Sequence, residues 1–361
     1  MEKTIRSVIV GTGRYLPERL VPNAAFLGNR FYLDYEKPIE VAKTGQTVEK
    51  FEAITEIVER RYVGDDLVTS DIATAAARDA LVSSGTDGES LDYLIVAHNF
   101  GDVRAGANGP DFVPSLAARV KQALGIANPR CVAYDLPFGC AGWLQGLIQA
   151  DYFLRSGDAR RALVVGAETL SRVSDPSDRD SMLYSDGAGA AILEARTGDD
   201  AIGILAHATR SDAHRHASLM WMGPSYDPGN RDGDLYLKMR GRKLYEYAVT
   251  TVPGLIRENL GAAGMTLEDV DTILVHQANT KMNATILDRL FLLEDRAEVP
   301  AGIAPMTIAR LGNSSVATLP TMLDFMLDGE LEGHGAKTGD LLVFAAVGAG
   351  MNCNSLIYRW P

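Results

Sequence analysis

Short runs of β-branched and aliphatic residues alternate along the chain with longer segments of helical periodicity. The runs that predict strands are SVIVGTG, YLIVAHN, CVAYDL, ALVVGAE, GAGAAILEA, AIGILAHA, TILVHQA, LLVFAAV and NSLIYRW. Continuous apolar strands separated by helices indicate a sheet that is covered on both faces. The pattern therefore predicts a layered α/β fold.

The predicted strands divide into two similar sets. The first set ends in GAGAAILEA and the second in NSLIYRW, and in each set the last two strands follow one another without a long helix between them. This symmetry indicates an internal duplication of one α/β unit, with residues 1–197 and 198–361 as the two halves. Two stretches rich in Gly, Pro and Asp, residues 101–112 and 213–238, are predicted to be surface loops.

Composition and charge narrow the class of protein. The chain has 361 residues, 46% of them hydrophobic, which is enough for a large core. Its net charge of -12 argues against general nucleic-acid binding, which needs a clustered excess of Lys and Arg. The longest apolar run, residues 341–351, is too short to span a bilayer, and the N-terminus lacks a signal-peptide pattern. Three cysteines are too few for a disulfide framework, so we expect a cytoplasmic protein.

One of the cysteines, Cys140, lies at a junction between a strand and a helix. The strand CVAYDL ends at Leu136, a PFG turn follows, and the apolar segment from Cys140 to a cap at Gly157 predicts a buried central helix. On the first turn of a helix, unpaired N–H groups and the helix dipole favour a thiolate. The ordinary alternative is a buried hydrophobic cysteine, but this context favours a nucleophile at the bottom of a pocket.

Two further polar residues are candidate partners for a nucleophile. His276, in TILVHQAN, follows a predicted strand, where catalytic groups gather in α/β sheets; a core histidine fits the spacing equally well. Asn313, in LGNSSVATLP, lies at a junction between a loop and a helix, where a helix cap is the alternative. His98 is a rival base.

Metal and dinucleotide chemistry are only weakly indicated. The pair His214 and His216 with Asp212 is too sparse for a metal site, which needs three or four ligands at set spacing, so no metal is predicted. GTGRYL at 11–16 has Leu16 where a dinucleotide-binding loop has its third glycine, which argues against that motif.

Three segments together resemble the β-ketoacyl-acyl-carrier-protein synthase III family, condensing enzymes of the thiolase fold. GCAGW around Cys140 resembles the nucleophile motif, VHQAN at 275–279 the histidine motif and GNSSVATLP at 312–320 the asparagine motif. GTGRYLPERLVPN, ALVVGAETLSRVSDPSDRD, SDGAGAAILEA and GAGMN extend the resemblance along nearly the whole chain. The resemblance implies a duplicated, five-layered αβαβα fold and a homodimer.

The same resemblance implies a decarboxylating Claisen condensation between an acyl starter and malonyl-acyl carrier protein, as in fatty-acid chain initiation. Cys140 would attack the acyl thioester, and His276 and Asn313 would bind the malonyl thioester oxygen as carbon dioxide leaves. The backbone N–H groups of Cys140 and Gly350 would form the other oxyanion hole. The substrates would be acyl-coenzyme A or acyl-carrier protein and malonyl-acyl carrier protein, with no cofactor.

Several positions depart from the family pattern around the acyl pocket. Phe51 and Thr55 stand where Trp and Arg commonly bind coenzyme A, which puts priming by coenzyme A in doubt. Phe112 or Val113 stands where the family places its chain-length gate. Together with the PFG turn at 137–139, these changes favour a starter other than acetyl.

Positive residues indicate where substrates and a carrier protein would bind. Arg179 matches the family pattern, and Lys281 keeps the charge of the usual Arg. The segment KMRGRK is the densest positive cluster of this acidic chain and is a candidate docking site for an acidic acyl carrier protein, with a solvated helix start as the alternative. The cations of this cluster are Lys238, Arg240, Arg242 and Lys243.

Other functions remain compatible with parts of the sequence. Within the family, a synthase of secondary metabolism would join longer acyl or β-ketoacyl units into a polyketide-like or resorcinol product, and the changes at Phe51 and Thr55 favour it somewhat. A non-catalytic partner subunit would be expected to lack the Cys or the His, and both are present. A redox sensor would need a resolving cysteine, and nothing places Cys131 or Cys353 in that role.

Overall fold

The computed structural model describes residues 4–33, 38–40, 43–107, 109–198, 201–230 and 233–361. Its strands are β1 Thr4–Tyr15, β2 Arg19–Pro22, β3 Glu59–Tyr62, β4 Tyr93–Ala97, β5 Val132–Leu136, β6 Arg161–Thr169, β7 Asp186–Gly198, β8 Gly203–Ser211, β9 Met220–Gly223, β10 Tyr236–Met239, β11 Thr272–Val275, β12 Leu341–Gly348 and β13 Asn352–Arg359. Its α-helices are α1 Thr44–Thr55, α2 Thr69–Ser84, α3 Leu116–Ala123, α4 Gly142–Arg155, α5 Ala213–His216, α6 Gly241–Ala262, α7 Thr280–Leu292, α8 Ile308–Leu311 and α9 Thr318–Leu327. Each of the strand-like runs predicted from the sequence overlaps one of these strands.

Two sheets repeat the same arrangement of strands. The first has the order β1-β7-β6-β4-β5, in which β7 is antiparallel to β1 and β6 while β4 is parallel to β6 and β5. The second has the order β8-β13-β12-β11, with β13 antiparallel to β8 and β12 while β11 is parallel to β12. The repeated order and direction support an internal duplication. The predicted boundary between 197 and 198 falls at the end of β7 and stays a prediction.

The layers of the fold follow from which apolar faces are covered. Helices α4 and α9 lie between the sheets, where Leu147 and Met322 pack in one core with Val164 of the first sheet and Phe344 of the second. Helices α2 and α3 cover the outer face of the first sheet, and α6 and α7 cover the outer face of the second. The predicted αβαβα order is therefore confirmed.

The segment 213–238 contains regular structure that its Gly and Pro content conceals. Its described residues include α5 and β9, and β9 pairs with β10 in an antiparallel hairpin in which Met220 lies opposite Met239. The prediction of one long surface loop is therefore wrong for the parts of this segment that form α5, β9 and β10. Residues 231–232 of the segment lie outside the described residues. The other predicted loop, 101–112, is closed by a bridge between Asp102 and Asp111, and its residue 108 lies outside the described residues.

A buried ion pair fastens this hairpin to the rest of the fold. The Lys238 ammonium lies 2.5 Å from Asp175 Oδ2 and 3.4 Å from Asp178 Oδ2, and all three side chains are buried. The ring of Tyr226 covers the ammonium at 3.6 Å from its centroid. Lys238 is thus a structural residue of the interior, and the prediction that it belongs to an exposed positive cluster is wrong.

The change Lys238→Met is expected to destabilise the fold by about 3–5 kcal/mol, because it leaves two carboxylates buried without their cation. Arg242→Met is the matched control, since Arg242 makes an exposed ion pair with Glu246 and its side chain is 91% exposed. Denaturant unfolding monitored by circular dichroism measures both. Equal stability of the two variants would show that the buried pair has no structural role.

Candidate active site

Cys140 lies at the floor of a cavity of about 310 Å³. It belongs to a single 3₁₀ turn, Gly139–Ala141, that leads directly into α4, so the central helix begins two residues later than the sequence predicts. The three residues of the PFG turn line the cavity beside it. Apolar side chains form much of the remaining wall, namely Phe100, Leu170, Met220, Trp221, Met222 and Leu237.

The backbone around Cys140 packs directly against the turn after β12. Gly139 has a φ of 62°, and a Cβ at this position would lie 2.4 Å from the backbone nitrogen of Ala349. A Cβ on Gly348 would lie 2.2 Å from the nitrogen of Cys140. Only glycine permits this approach of two backbone segments. Ala349 lines the cavity, whereas the predicted oxyanion donor Gly350 is the next residue along, and its role stays a prediction.

Burial governs the protonation of the Cys140 sulfur. Desolvation raises the pKa of the Cys140 thiol to about 11, and the charge of Glu168 acts in the same direction. The hydrogen bond from the Ser315 hydroxyl to Sγ, at 3.3 Å, acts against it. Desolvation therefore favours the thiol over the thiolate in the free protein and opposes the effect of the helix terminus. The expectation that the helix terminus favours a thiolate stays a prediction.

His276 is fixed at the end of β11 by both backbone and side chain. Its N–H donates to the carbonyl of Ala345 at 2.9 Å, and its Nδ1 lies 2.7 Å from Thr318 Oγ1. Its neighbour Gln277 accepts hydrogen bonds from the N–H groups of residues 307 and 308, which ties this loop to α8. Desolvation lowers the pKa of His276 to about 4, so the imidazole is neutral at neutral pH.

Asn313 is held in the cavity wall by a short parallel bridge. Its N–H donates to the carbonyl of Leu183, and its carbonyl accepts from the N–H of Ser185, both at 2.9 Å. Its side-chain Oδ1 accepts from the N–H of Ser315 at 2.8 Å. The oxygen of the amide is therefore occupied, and the Nδ2 end is the one that can donate to a ligand.

His98, the rival base, serves the structure instead. Its Nδ1 accepts a hydrogen bond from the N–H of Gly101 at 3.1 Å, and its Nε2 lies 3.0 Å from Asp135 Oδ2. Asp135 also accepts hydrogen bonds from two N–H groups at the start of α3. The side chain of His98 is buried outside the cavity wall, where it joins β4 to these elements.

Sequence reasoning missed Ser315, Asn99 and Glu168, which lie around the nucleophile. Ser315 and Asn99 line the cavity, and Glu168 is fully buried behind Asn99. The second serine of GNSS was visible within the asparagine motif. Asn99 follows β4, and Glu168 lies near the end of β6. Because these strands are parallel neighbours, the strand pattern could have predicted that the two residues lie close together.

The predicted gate and charged substrate-binding residues lie away from the cavity wall. Phe112 is 45% exposed and Val113 is 85% exposed. Arg179 and Lys281 are also exposed to solvent. In the described part of the chain none of these four residues lines the Cys140 cavity, and their binding roles stay predictions.

The remaining positive residues, Arg240, Arg242 and Lys243, are exposed. The Arg240 guanidinium lies 5.8 Å from the ring centroid of Trp221, which lines the cavity. Arg242 and Lys243 are exposed on the first turn of α6. Arg242 pairs with Glu246 at 2.9 Å. Three of the four cations in the predicted docking cluster are therefore exposed, and the fourth, Lys238, is buried.

Other chemistry finds little support in the described part of the chain. No group of three or more His, Cys, Asp and Glu side chains there could hold a metal ion. Asp212 instead accepts hydrogen bonds from Arg210 and Tyr247. Within the same residues, every helix is too short or too polar to cross a membrane.

Phe51 and Thr55, the positions where family members commonly bind coenzyme A, are at least partly buried. Phe51 packs near Arg60 in a small core cluster, and Thr55 is buried beside it.

The duplicated αβαβα layers, with a cysteine just before the buried central helix, are those of the thiolase fold, and similarity to known synthases makes the protein a condensing enzyme, an acyltransferase. The chain belongs to the β-ketoacyl-acyl-carrier-protein synthase III family. The sequence models for 3-oxoacyl-[acyl-carrier-protein] synthase III and for its C-terminal part match residues 134–213 and 260–360. This confirms the family, fold and enzyme class expected from the three motifs.

Individual relatives show how far the likeness extends. The β-ketoacyl-[acyl-carrier-protein] synthase III of Cereibacter sphaeroides is 35% identical over 99% of this chain and 100% of its own. The crystal structure of the synthase III from Pseudomonas aeruginosa has a TM-score of 0.80 at 29% identity, covering 99% of this chain and 98% of its own. The priming β-ketosynthase of the R1128 polyketide pathway has a TM-score of 0.79 at 26% identity, covering 100% and 98%.

The lowered pKa of His276 predicts a pH dependence of stability. With a pKa of 6.5 when unfolded and about 4 when folded, its stabilising contribution is complete above pH 6.5 and is lost as pH falls towards 4. At about pH 5 this loss is roughly 2 kcal/mol. Urea unfolding at pH 7.5 and at pH 5 measures how far the free energy of unfolding falls between the two pH values. We expect this fall to be about 2 kcal/mol smaller for His276→Gln than for the unmodified protein, because the variant has no imidazole to protonate. The exposed His214→Gln is the control, and identical losses in all three proteins would contradict the prediction.

Proposed function

We propose that this enzyme joins an acyl starter to malonyl-acyl carrier protein by decarboxylating Claisen condensation, with acyl-Cys140 as the intermediate. One observation carries the proposal: Cys140 and Asn313 line the same largely apolar cavity, and His276 is connected through Thr318 to Ser315, which lines this cavity and contacts Cys140. The names of the relatives, which specify a β-ketoacyl-acyl-carrier-protein synthase, support the same reaction.

In the first half-reaction the Cys140 sulfur attacks the carbonyl of the starter thioester. A new carbon–sulfur bond forms, the old one breaks, and the carrier thiol leaves with the proton that Cys140 gives up. Backbone N–H groups at Cys140 and in the turn after β12 are the donors available to the oxyanion, as predicted for Cys140 and Gly350. The product is acyl-Cys140 enclosed by the cavity.

In the second half-reaction the malonyl thioester loses carbon dioxide, and the electron pair passes into an enolate. Neutral donors from His276 and Asn313 stabilise the enolate oxygen. The single proton of the Thr318 hydroxyl is within hydrogen-bond distance of both His276 Nδ1, at 2.7 Å, and the Ser315 carbonyl, at 3.2 Å. Donation from His276 to the enolate requires the ring proton on Nε2, which is the tautomer in which Thr318 turns its proton towards Nδ1.

The enolate carbon then attacks the acyl carbonyl and displaces the Cys140 thiolate, which takes up one proton from solvent water to restore the thiol. Decarboxylation itself supplies the electron pair for the new carbon–carbon bond. The proposed reaction therefore has no redox step and includes no cofactor, and its substrates are acyl-coenzyme A or acyl-carrier protein and malonyl-acyl carrier protein.

An acyl carrier protein is the proposed macromolecular partner. Carrier proteins of this kind are acidic, and Arg240, next to Trp221 of the cavity wall, is exposed together with its neighbours Arg242 and Lys243. A homodimer is also part of the proposal. The exposed apolar side chains of Phe112 and Val113 are the kind of surface that a second copy would cover.

A synthase of secondary metabolism with a longer starter is the second candidate. The cavity volume of about 310 Å³ is twice the roughly 150 Å³ that holds benzene in an engineered core. Its Met and Trp lining is apolar beyond what an acetyl group needs, and the polyketide priming synthase shares the fold at 26% identity. The starter, rather than the reaction, separates the two candidates.

Incubation with a panel of acyl-coenzyme A and acyl-carrier-protein donors is expected to add the mass of one acyl group to the protein. Because the thioester forms on sulfur, Cys140→Ala should abolish the gain, while Cys131→Ala, at a buried cysteine outside the cavity, should retain it. Intact-mass spectrometry measures both. Medium-chain donors should give the largest gain if the second candidate is right. If no donor acylates the protein, the proposed first half-reaction is wrong.

His276→Ala is expected to lower decarboxylation of malonyl thioester by at least about 100-fold, because one of two enolate donors is lost. Acylation of Cys140 should remain close to that of the unmodified enzyme. Release of labelled carbon dioxide and intact mass measure the two steps separately. Parallel loss of both activities in a folded variant would show that the roles are not divided in this way.

A further inference from the structure

Ser315 adopts a backbone conformation that non-glycine residues rarely take. Its φ of 55° lies in the left-handed region, which carries a cost in free energy for a side chain with a Cβ. It begins the 3₁₀ turn Ser315–Ala317 that leads into α9, and its side chain is almost fully buried at the cavity wall. A strained residue at a cavity persists when surrounding contacts over-determine it.

Ser315 connects the three predicted catalytic residues. Its N–H donates to Asn313 Oδ1 at 2.8 Å, and its hydroxyl donates to Cys140 Sγ at 3.3 Å. Its carbonyl lies 3.2 Å from Thr318 Oγ1, which in turn contacts His276. In the left-handed conformation, the N–H and the carbonyl of Ser315 contact Asn313 and Thr318 of its own loop, while its hydroxyl reaches Cys140 on a separate segment.

Asn99 determines where the Ser315 hydroxyl points. The Nδ2 group of Asn99 donates to Ser315 Oγ at 3.2 Å. A serine hydroxyl has one proton and two lone pairs. Because Asn99 occupies a lone pair, the Ser315 proton is left to donate to the Cys140 sulfur.

Glu168 in turn fixes the orientation of Asn99. The N–H and the Nδ2 group of Asn99 donate to Glu168 Oε2 at 3.0 and 2.6 Å. Because this oxygen accepts, the nitrogen end of the amide faces Ser315 as well. Glu168 is fully buried, and among the described residues its Oε1 has no hydrogen-bond partner. An incompletely paired buried carboxyl is costly, which points to a role besides packing.

We propose that Ser315 is a positioning residue for the nucleophile, with Asn99 and Glu168 fixing its hydroxyl so that it donates a hydrogen bond to the Cys140 sulfur. This inference rests on the proposed function only in giving Cys140 the role of nucleophile. A hydrogen-bond donor at this position stabilises the thiolate that attacks the starter. It thereby offsets part of the desolvation, which disfavours the thiolate. No proton passes to Ser315, since the thiol proton leaves with the carrier thiol.

The test is the pH dependence of alkylation of Cys140 by iodoacetamide, followed by mass spectrometry of the peptide that contains it. Ser315→Ala removes the hydroxyl and keeps the N–H and carbonyl. We expect it to raise the measured thiol pKa by about one unit and to slow alkylation at neutral pH about tenfold. Asn99→Ala should shift the profile in the same direction by less.

Two further variants separate this role from a structural one. Ser314→Ala is the matched control, because the neighbouring hydroxyl takes part in none of these contacts, and its profile should match the unmodified protein. Ser315→Gly relieves the left-handed strain and also lacks the hydroxyl, so it should shift the profile as Ser315→Ala does. A Ser315→Ala profile that superimposes on the unmodified one would overturn the proposal. Alkylation needs no acyl donor, so this outcome is independent of whether any thioester acylates the enzyme.

Discussion

The left-handed conformation of Ser315 is the constraint on which the geometry of the site depends. Cys140, His276 and Asn313 come from three separate loops, and Ser315 touches two of them directly and the third through Thr318. Hydrogen bonds from one rigid residue hold such groups in register more closely than loops alone would. The free-energy cost of the positive φ angle of Ser315 is offset by the hydrogen bonds that this conformation permits, as is common at functional sites.

The layered fold sets the electrostatics of this site. Cys140 precedes α4 in the middle layer and is partly buried, while His276 follows a strand of the second sheet and is buried. Desolvation raises the pKa of the Cys140 thiol and lowers that of His276, which favours the neutral form of both in the free enzyme. Neutral donors suit a reaction in which negative charge develops on an enolate and then disappears. Because water is largely excluded, a hydrogen bond donated to the Cys140 sulfur stabilises the thiolate more strongly than it would in solvent.

The wall of the cavity is built by a segment whose composition suggested only a loop. The β9–β10 hairpin supplies Met220, Trp221, Met222 and Leu237, and it is anchored through Lys238 to the buried carboxylates near residue 175. Local pattern could not reveal this, since the ion pairs join residues about 60 positions apart. The shape of this cavity therefore depends on long-range contacts of an irregular segment.

The sequence by itself determined the strand runs, the duplicated layers and the three motif residues, because hydrophobic periodicity and short motifs are local properties of the chain. It also indicated the PFG turn as part of the pocket. Only the tertiary structure decided that Lys238 is buried, that desolvation raises the pKa of the Cys140 thiol, and that Asn99 and Glu168 lie next to Ser315 in one chain of hydrogen bonds. Burial and hydrogen bonding between distant segments set charge, protonation and orientation, and these exist only once the chain has folded.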